Sequence, residues 1–300
     1  AGAPRELALP TDRPRSRRRG VAGSMVRLDL GAEAFERLRR LAAERRHTLL
    51  VPLFAAFAVV LARASGQRDL VIGSPVANRR ERELDSVIGF LVNNLVLRLD
   101  LAQDRTFDTL LAQAQDRVVG ALAHQDLPFE RLVEALTPER ALNRQPMFQV
   151  TLALQNQALG TLGLAGLELE PREPKDPTED FDLTLMVSEE AGGLAFRFRY
   201  STELFDRTTV RRLGHRLLRT IESACREPQA DVFALPLLTA AERHQLQVEW
   251  NDSEPPPSHR RARAGTLHGG VAKWAADWPE RVALVQEGRP EQGELDELLS

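Results

Sequence analysis

Apolar and polar residues alternate along this chain with two different periods. A period of two, typical of a strand with one buried face, recurs in four stretches. These stretches cover residues 26–30, 148–154, 181–187 and 194–200. A short apolar segment at 70–72 predicts one further strand. The strands of a sheet are therefore dispersed over most of the chain.

Apolar residues at helical spacing separate these strands. One stripe begins at Phe35, a second covers 107–122, and a third covers 210–224, where Asp206 is expected to cap the helix. The most apolar run, 49–62, is shorter than the roughly 20 residues that cross a bilayer, so it predicts a buried helix. Helices interleaved with strands predict an α/β sandwich with a mixed sheet.

The two ends of the chain depart from this pattern. Residues 1–23 combine prolines with an arginine cluster, which is typical either of a nucleic-acid-binding arm or of an exposed connector. Because acidic residues outnumber basic ones over the whole chain, the connector is favoured. Residues 24–227 carry the continuous apolar stripes of one lobe, and the proline-rich 228–265 are interpreted as a linker. Residues 266–300 are too few to hold a core of their own.

Composition excludes several classes of protein. The formal net charge of −3 provides no electrostatic field that would attract nucleic acid or anionic lipid. Hydrophobic residues make up 43% of the chain, which is ordinary for a globular protein. The one cysteine, Cys225, has no partner for an internal disulfide. The sequence shows no signal-like or membrane-spanning run, and it begins with alanine. We expect a cytoplasmic piece of a longer protein that binds neither nucleic acid nor a membrane.

Patterns of catalytic or metal-binding residues are missing from the sequence. Its six histidines are never adjacent, and none is followed by an aspartate four positions later. No cluster of cysteine and histidine has metal-ligand spacing, and neither a nucleophile elbow nor a phosphate-binding glycine loop occurs. The sequence therefore predicts no metal site and no catalytic residue within this chain.

One polar segment interrupts the apolar pattern at 88–98. As a strand, it places Asn93 on one face with two leucines, and Asn94 and Arg98 on the other. Whichever face meets the core brings a polar group with it, and that group needs a hydrogen-bond partner. This pattern is typical of a strand beside a cleft, but an edge strand with Asn93 in solvent explains it equally well.

A second polar segment, 124–130, follows the long predicted helix. Asp126 is suited to cap a new helix, Pro128 to its first turn, and Glu130 to the positive end of its dipole. His124 stands at a helix terminus, where a histidine has a capping role more often than a catalytic one. The segment is therefore interpreted as scaffold.

These segments resemble three sequence motifs of the condensation domains of nonribosomal peptide synthetases. The fifth motif of that family is matched by Ile88, Gly89, Val92, Asn93 and Arg98, with Leu91 and Asn94 as departures. The sixth motif is matched throughout by His124, Gln125, Asp126, Pro128, Phe129 and Glu130. The seventh motif keeps Arg140, Arg144 and Pro146, while Ala141, Asn143, Gln145 and Met147 depart from it.

The resemblance covers residues 7–250 and extends more loosely beyond them. Residues 9–14 look like the segment that leads such domains into their second lobe, so 1–23 would connect to a missing N-terminal lobe. Residues 239–285 are similar to the linker between condensation and adenylation domains, followed by the start of an adenylation domain. A downstream adenylation domain is therefore an expected partner.

The resemblance implies a chloramphenicol acetyltransferase-like lobe that pairs with a similar first lobe around the active site. Such domains join acyl groups that peptidyl and aminoacyl carrier proteins present on 4′-phosphopantetheine, and no cofactor is expected to bind this chain directly. The catalytic His-His-x-x-x-Asp-Gly motif belongs to the first lobe, so this piece alone is expected to be inactive. Asn93, Asn94 and Arg98 would form the wall facing that histidine, with Arg98 paired to the aspartate of the motif.

Two alternatives stay open. Within the family, an epimerization or heterocyclization domain is the alternative, although the pair Asn93-Asn94 and the segment 124–130 look like ordinary condensation. Outside it, a noncatalytic docking or scaffold module for carrier proteins is the alternative. A histidine motif upstream of this sequence would decide in favour of an enzyme.

Overall fold

A computed structural model describes residues 2–79, 82–84, 86–102, 106–136, 143–155, 178–190, 192–252 and 267–279. The chain divides into two compact units, 1–239 and 240–300. The first unit contains the predicted sheet and most of the helices.

Within the described residues, the sheet of the first unit has six strands, and it is mixed as predicted. Its strands are β1 (Gly23–Gly31), β2 (Asp69–Val76), β3 (Asn93–Asp100), β4 (Val150–Gln155), β5 (Leu183–Glu190) and β6 (Gly193–Ser201). They lie in the order β1-β6-β5-β4-β2-β3, which makes β1 and β3 the edges. β4 pairs in parallel with β2 and β5, whereas the other neighbours are antiparallel.

Helices cover the apolar face of this sheet. They are α1 (Ala32–Glu44), α2 (Leu50–Ser65), α3 (Phe107–Ala123) and α5 (Arg207–Arg226), with α4 (Phe129–Leu136) following α3 in sequence. α2 packs against β2, α3 and α5, so residues 51–62 are buried on all sides, as their unbroken apolar run predicts. α5 approaches the sheet closely at Gly214, where a Cβ would overlap Leu28 and Phe198.

The opposite face of the sheet is more open. On β3, Leu95, Leu97 and Leu99 are buried, whereas the alternate residues Val96 and Arg98 are half-buried. The same alternation on β5 buries its leucines and leaves its polar residues partly accessible. This open face carries the site described below.

Three sequence predictions are corrected by the first unit. Residues 1–23 are not simply exposed, because Leu7 belongs to the core and Arg15 is half-buried against Asp182. The lobe also extends past residue 227, since Val232 and Leu235 are buried in it. The helix α5 is not capped by the side chain of Asp206, which pairs with Arg13.

Asp12 supplies the missing cap of α5. Its carboxylate accepts from the backbone N–H of Asp206 at 2.7 Å and from Thr209 Oγ1 at 2.8 Å. The hydrogen bond from the backbone of Asp206, more than any other contact, lowers the pKa of Asp12 below its ordinary value. The connector therefore caps the N-terminus of a helix that lies almost two hundred positions away in sequence.

The second unit contains α6 (Ala240–Gln247), a 3₁₀ turn at Glu249–Asn251 and α7 (Leu267–Asp277). α6 begins directly after Thr239 and carries Glu242 in its first turn, which is the spacing of a capping box. The linker residues 253–265 and the segment 280–300 lie outside the described residues. Among the described helices, none is long and apolar enough to cross a membrane.

Candidate functional site

The open face of the sheet carries a cavity of about 900 Å³. Four stretches of chain form its walls: β2–β3, α4, the segment 144–147 and the connector. Their lining residues are Val71, Val96, Arg98, Phe129, Glu130, Leu132, Val133, Leu136, Arg144, Gln145, Pro146, Met147, Gly2, Ala3, Pro4 and Arg5. In the part of the chain that the structure describes, the cavity therefore combines an apolar surface with three arginines.

The three motifs recognised in the sequence converge on this cavity. The fifth motif contributes Arg98, the sixth contributes Phe129 and Glu130, and the seventh contributes Arg144 and Pro146. These segments are well separated in sequence, so the topology of the sheet brings them together. Arg140 of the seventh motif lies outside the described residues.

Asn93 joins the fifth motif to the sixth. Its Nδ2 donates to the carbonyls of Gln125 at 2.7 Å and Leu127 at 2.8 Å. Its Oδ1 accepts from the backbone N–H of Phe129 at 3.0 Å and from that of Asn94 at 2.9 Å. β3 is an edge strand, but Asn93 does not turn to solvent, because its amide satisfies the first N–H of the helix α4.

The segment 124–130 leads from α3 into α4, and its role as scaffold stays a prediction. His124 ends α3, and its Nδ1 lies 2.9 Å from the carbonyl oxygen of Gly120. The carbonyl of Pro128 accepts the first hydrogen bonds of α4. The side chain of Asn93 accepts from the first N–H of α4, and a cap from Asp126 stays a prediction.

The residues before β3 are less regular than the sequence predicts. The strand begins at Asn93 instead of Ile88, and both Ile88 and Gly89 lie in an exposed loop. Arg79 shapes that loop by donating to the carbonyls of Val87 at 2.9 Å and Gly89 at 3.4 Å. Phe90, which is 89% exposed, is displayed at its end.

Arg98 reaches the cavity from β3. Its Nε and Nη2 donate to the two oxygens of Asp69 at 2.9 and 2.7 Å, and Nη2 also donates to the carbonyl of Gly2 at 3.0 Å. The register of β2 and β3 sets Val71 opposite Arg98, which leaves Asp69 within diagonal reach. The hydrogen bond with Asp69 is the main cause that raises the pKa of Arg98. Asp100 is the nearer carboxylate in sequence, whereas the bidentate pair forms with Asp69.

The two asparagines occupy different places. Asn94 lies on the open face of β3 with Val96 and Arg98, as the alternation predicts, and it is half-buried. The cavity lining includes Arg98 and neither asparagine. Asn93 thus supports the wall through its contacts with 125–129, and a role for Asn94 at the wall stays a prediction.

An aromatic stack underlies the cavity, and the sequence did not reveal it. Phe148 lies between Phe129 and Phe181, with ring centroids 5.2 and 5.5 Å apart. Its ring covers Gly73 so closely that a Cβ on that glycine would overlap it. A glycine inside an apolar strand pattern is a signal of such close approach.

The connector forms the remaining wall through polar contacts. Glu6 pairs with Arg144 of the seventh motif, and the buried Gln149 binds the backbone of Leu7. Neither Glu6 nor Gln149 was singled out in the sequence. The signal for Gln149 was an amide between two apolar strand residues, Phe148 and Val150.

Comparison with known families agrees with this geometry. The family model described as "Condensation domain" matches residues 1–247. This chain therefore belongs to the condensation-domain family.

Curated relatives place the match within very long proteins. The chain is 39% identical over 286 residues to Chondramide synthase cmdD of Chondromyces crocatus, covering 95% of this chain and 7% of that protein. It is 35% identical to Tyrocidine synthase 3 of Brevibacillus parabrevis, over 94% of this chain and 4% of the relative. For Phosphinothricin tripeptide synthetase PhsC of Streptomyces viridochromogenes, the identity is 39% over 99% of this chain and 27% of the relative.

Solved structures share the fold. Holo-AB3403, a four-domain nonribosomal peptide synthetase, superposes with a TM-score of 0.70 at 25% identity, over 80% of this chain and 19% of that one. The X-domain in complex with OxyB from teicoplanin biosynthesis gives 0.73 at 28% identity, over 80% of this chain and 53% of that one. The expected α/β lobe of chloramphenicol acetyltransferase-like fold is confirmed, and the chain spans about half of the X-domain structure.

Proposed function

We propose that this chain is the lobe of a condensation domain that walls the substrate cavity during peptide-bond formation. The observation that carries the proposal is the convergence of three family motifs on one cavity. Among the described lining residues, Arg5, Arg98 and Arg144 stay protonated and cannot act as a general base, while Glu130 supplies a carboxylate. By the family resemblance, the base would come from the histidine motif of the preceding lobe.

The proposed reaction joins two acyl groups held on the 4′-phosphopantetheine arms of carrier proteins. The amine of the acceptor attacks the carbonyl of the donor thioester, a C–N bond forms, the C–S bond breaks and a thiol leaves. The proton lost by the amine passes by way of the first lobe to the departing thiolate, which leaves as the thiol. On this chain, Val96, Val133 and Met147 would exclude water from the arms, while the arginines offer donors to polar groups.

Arg98 is the residue through which we expect this lobe to meet the first. Asp69 already accepts from its Nε and Nη2, so the proposed pairing with the aspartate of the histidine motif rests on the family resemblance. Beyond residue 247, where the family model ends, we infer that an adenylation domain follows, from the likeness of 239–285 to such a junction.

The test uses the full condensation domain with its first lobe. Peptide-bond formation between two loaded carrier proteins is followed for the wild type, for Arg98→Ala and for Arg117→Ala, which removes an exposed arginine of α3. We expect a lower rate in Arg98→Ala and an unchanged rate in the control. A wild-type domain that binds carriers without forming a peptide bond would instead make it a noncatalytic docking module. Chiral analysis of the product separates condensation from epimerization.

A further inference from the structure

Two walls of the cavity, residues 2–5 and 144–147, are joined by one buried side chain. Gln149 is 1% exposed, and its amide uses both ends. Oε1 accepts from the backbone N–H of Leu7 at 2.9 Å, while Nε2 donates to the carbonyls of Gln145 at 3.1 Å and Arg5 at 3.5 Å. A single amide thus spans the connector and the segment that carries the seventh motif.

Gln149 is itself held in place from behind. Its carbonyl accepts from the backbone N–H of Asp182 at 2.9 Å, at the start of β5. The preceding residue, Phe148, is fixed in the aromatic stack. A buried amide without hydrogen-bond partners costs free energy. The backbone groups of Leu7, Arg5 and Gln145 therefore stay within hydrogen-bond distance of the fixed Gln149 side chain.

Gln67 holds the same connector from a different place. Its Nε2 donates to the carbonyl of Glu6 at 2.9 Å, and its Oε1 accepts from the N–H of Ala8 at 2.7 Å. Neither of these bonds involves the segment 144–147. The chain therefore offers two similar glutamine clamps, of which Gln149 also reaches the second wall.

We propose that Gln149 is a positioning residue that sets the separation between the connector and the segment 144–147. In doing so, it sets the width of the cavity that the carrier-bound acyl groups enter. This inference rests on the proposed function for its consequence in catalysis. It rests on the three hydrogen bonds of the amide for its structural part.

The catalytic test compares Gln149→Met with Gln67→Met in the full condensation domain, since methionine keeps the length of the side chain without its hydrogen bonds. We expect kcat for peptide-bond formation to fall about 10- to 100-fold in Gln149→Met, the scale of loss that follows a displacement of about 1 Å. The rate of Gln67→Met should stay within about twofold, with KM for the carriers unchanged in both variants. Assays run well below each melting temperature exclude unfolded protein. Equal losses in the two variants, or none in Gln149→Met, would overturn the proposal.

Hydrogen exchange in the 300-residue chain tests the structural part without catalysis. Gln149→Met should accelerate exchange at Leu7 and across 144–148, whereas Gln67→Met should act at Ala8. Unchanged exchange across 144–148 in Gln149→Met refutes the inference even in an active domain. If the wild-type domain forms no peptide bond, the proposed function fails, and the exchange data still decide whether Gln149 positions the wall.

Discussion

The ion pair between Arg15 and Asp182 is the contact whose removal we expect to cost the most stability. Arg15 Nη1 lies 2.9 Å from Asp182 Oδ1, and Nη2 binds the second oxygen, which makes the pair bidentate. The side chains are 19% and 5% exposed. The hydrogen bonds to Asp182 are the main cause that raises the pKa of Arg15. The pair fastens the connector to the start of β5.

The magnitude follows from this burial. Asp182→Leu leaves the guanidinium of Arg15 half-buried beside an apolar group, and breaking a buried pair costs about 3–5 kcal/mol. We expect the lower end, because Arg15 keeps some access to water and also reaches the carbonyl of Asn143 at 3.4 Å. Replacing both partners, as Arg15→Met with Asp182→Leu, removes both buried charges and should restore most of the loss.

Urea unfolding at pH 7 measures these free energies. The transition should be followed by far-ultraviolet circular dichroism, because Trp250, Trp274 and Trp278 all lie in the second unit. Arg13→Leu serves as the control, since its pair with Asp206 is about half exposed and exposed pairs are worth about 0–1 kcal/mol. A double variant as unstable as Asp182→Leu, or a control that loses as much, would refute the reasoning.

Two further predictions concern the stack and the helix cap. Gly73→Ala should destabilise the first unit by about 1–3 kcal/mol, because the new Cβ overlaps the buried Phe148. The control is Gly120→Ala in α3, where the new Cβ meets no neighbour and should stabilise the helix. Thermal unfolding of the two variants and the wild type measures both effects. Asp12→Ala should cost about 1 kcal/mol at neutral pH by removing the cap of α5. Since the folded pKa of Asp12 is lowered, the stability it adds is present above its ordinary value of 3.8 and lost as the pH falls below it. A difference from the wild type that stays constant from neutral to acidic pH would contradict this account.

The secondary structure of the first unit could be predicted from the sequence because it depends on local periods. The stripe of residues 107–122 and the unbroken run at 49–62 determine which faces of α3 and α2 are buried, whatever lies against them. The motifs at 88–98 and 124–130 likewise identified the family from neighbouring residues alone. The sequence predicted that β3 starts at Ile88, which was wrong. A strand extends only as far as its partner does, and the last residue of β2, Val76, pairs with Asn93.

The partners of the polar side chains were decided by the tertiary structure. Arg98 meets Asp69 because of the register of β2 against β3, and Asn93 meets 125–129 because α3 returns along the edge of the sheet. The contacts of Gln149 with Leu7 and Asp12 with Asp206 join residues more than a hundred positions apart. A polar residue within an apolar sequence pattern indicates that a hydrogen-bond partner is required, since a buried polar group without one costs free energy. The identity of that partner depends on the order of the strands and on the path of the connector, and both are properties of the tertiary structure.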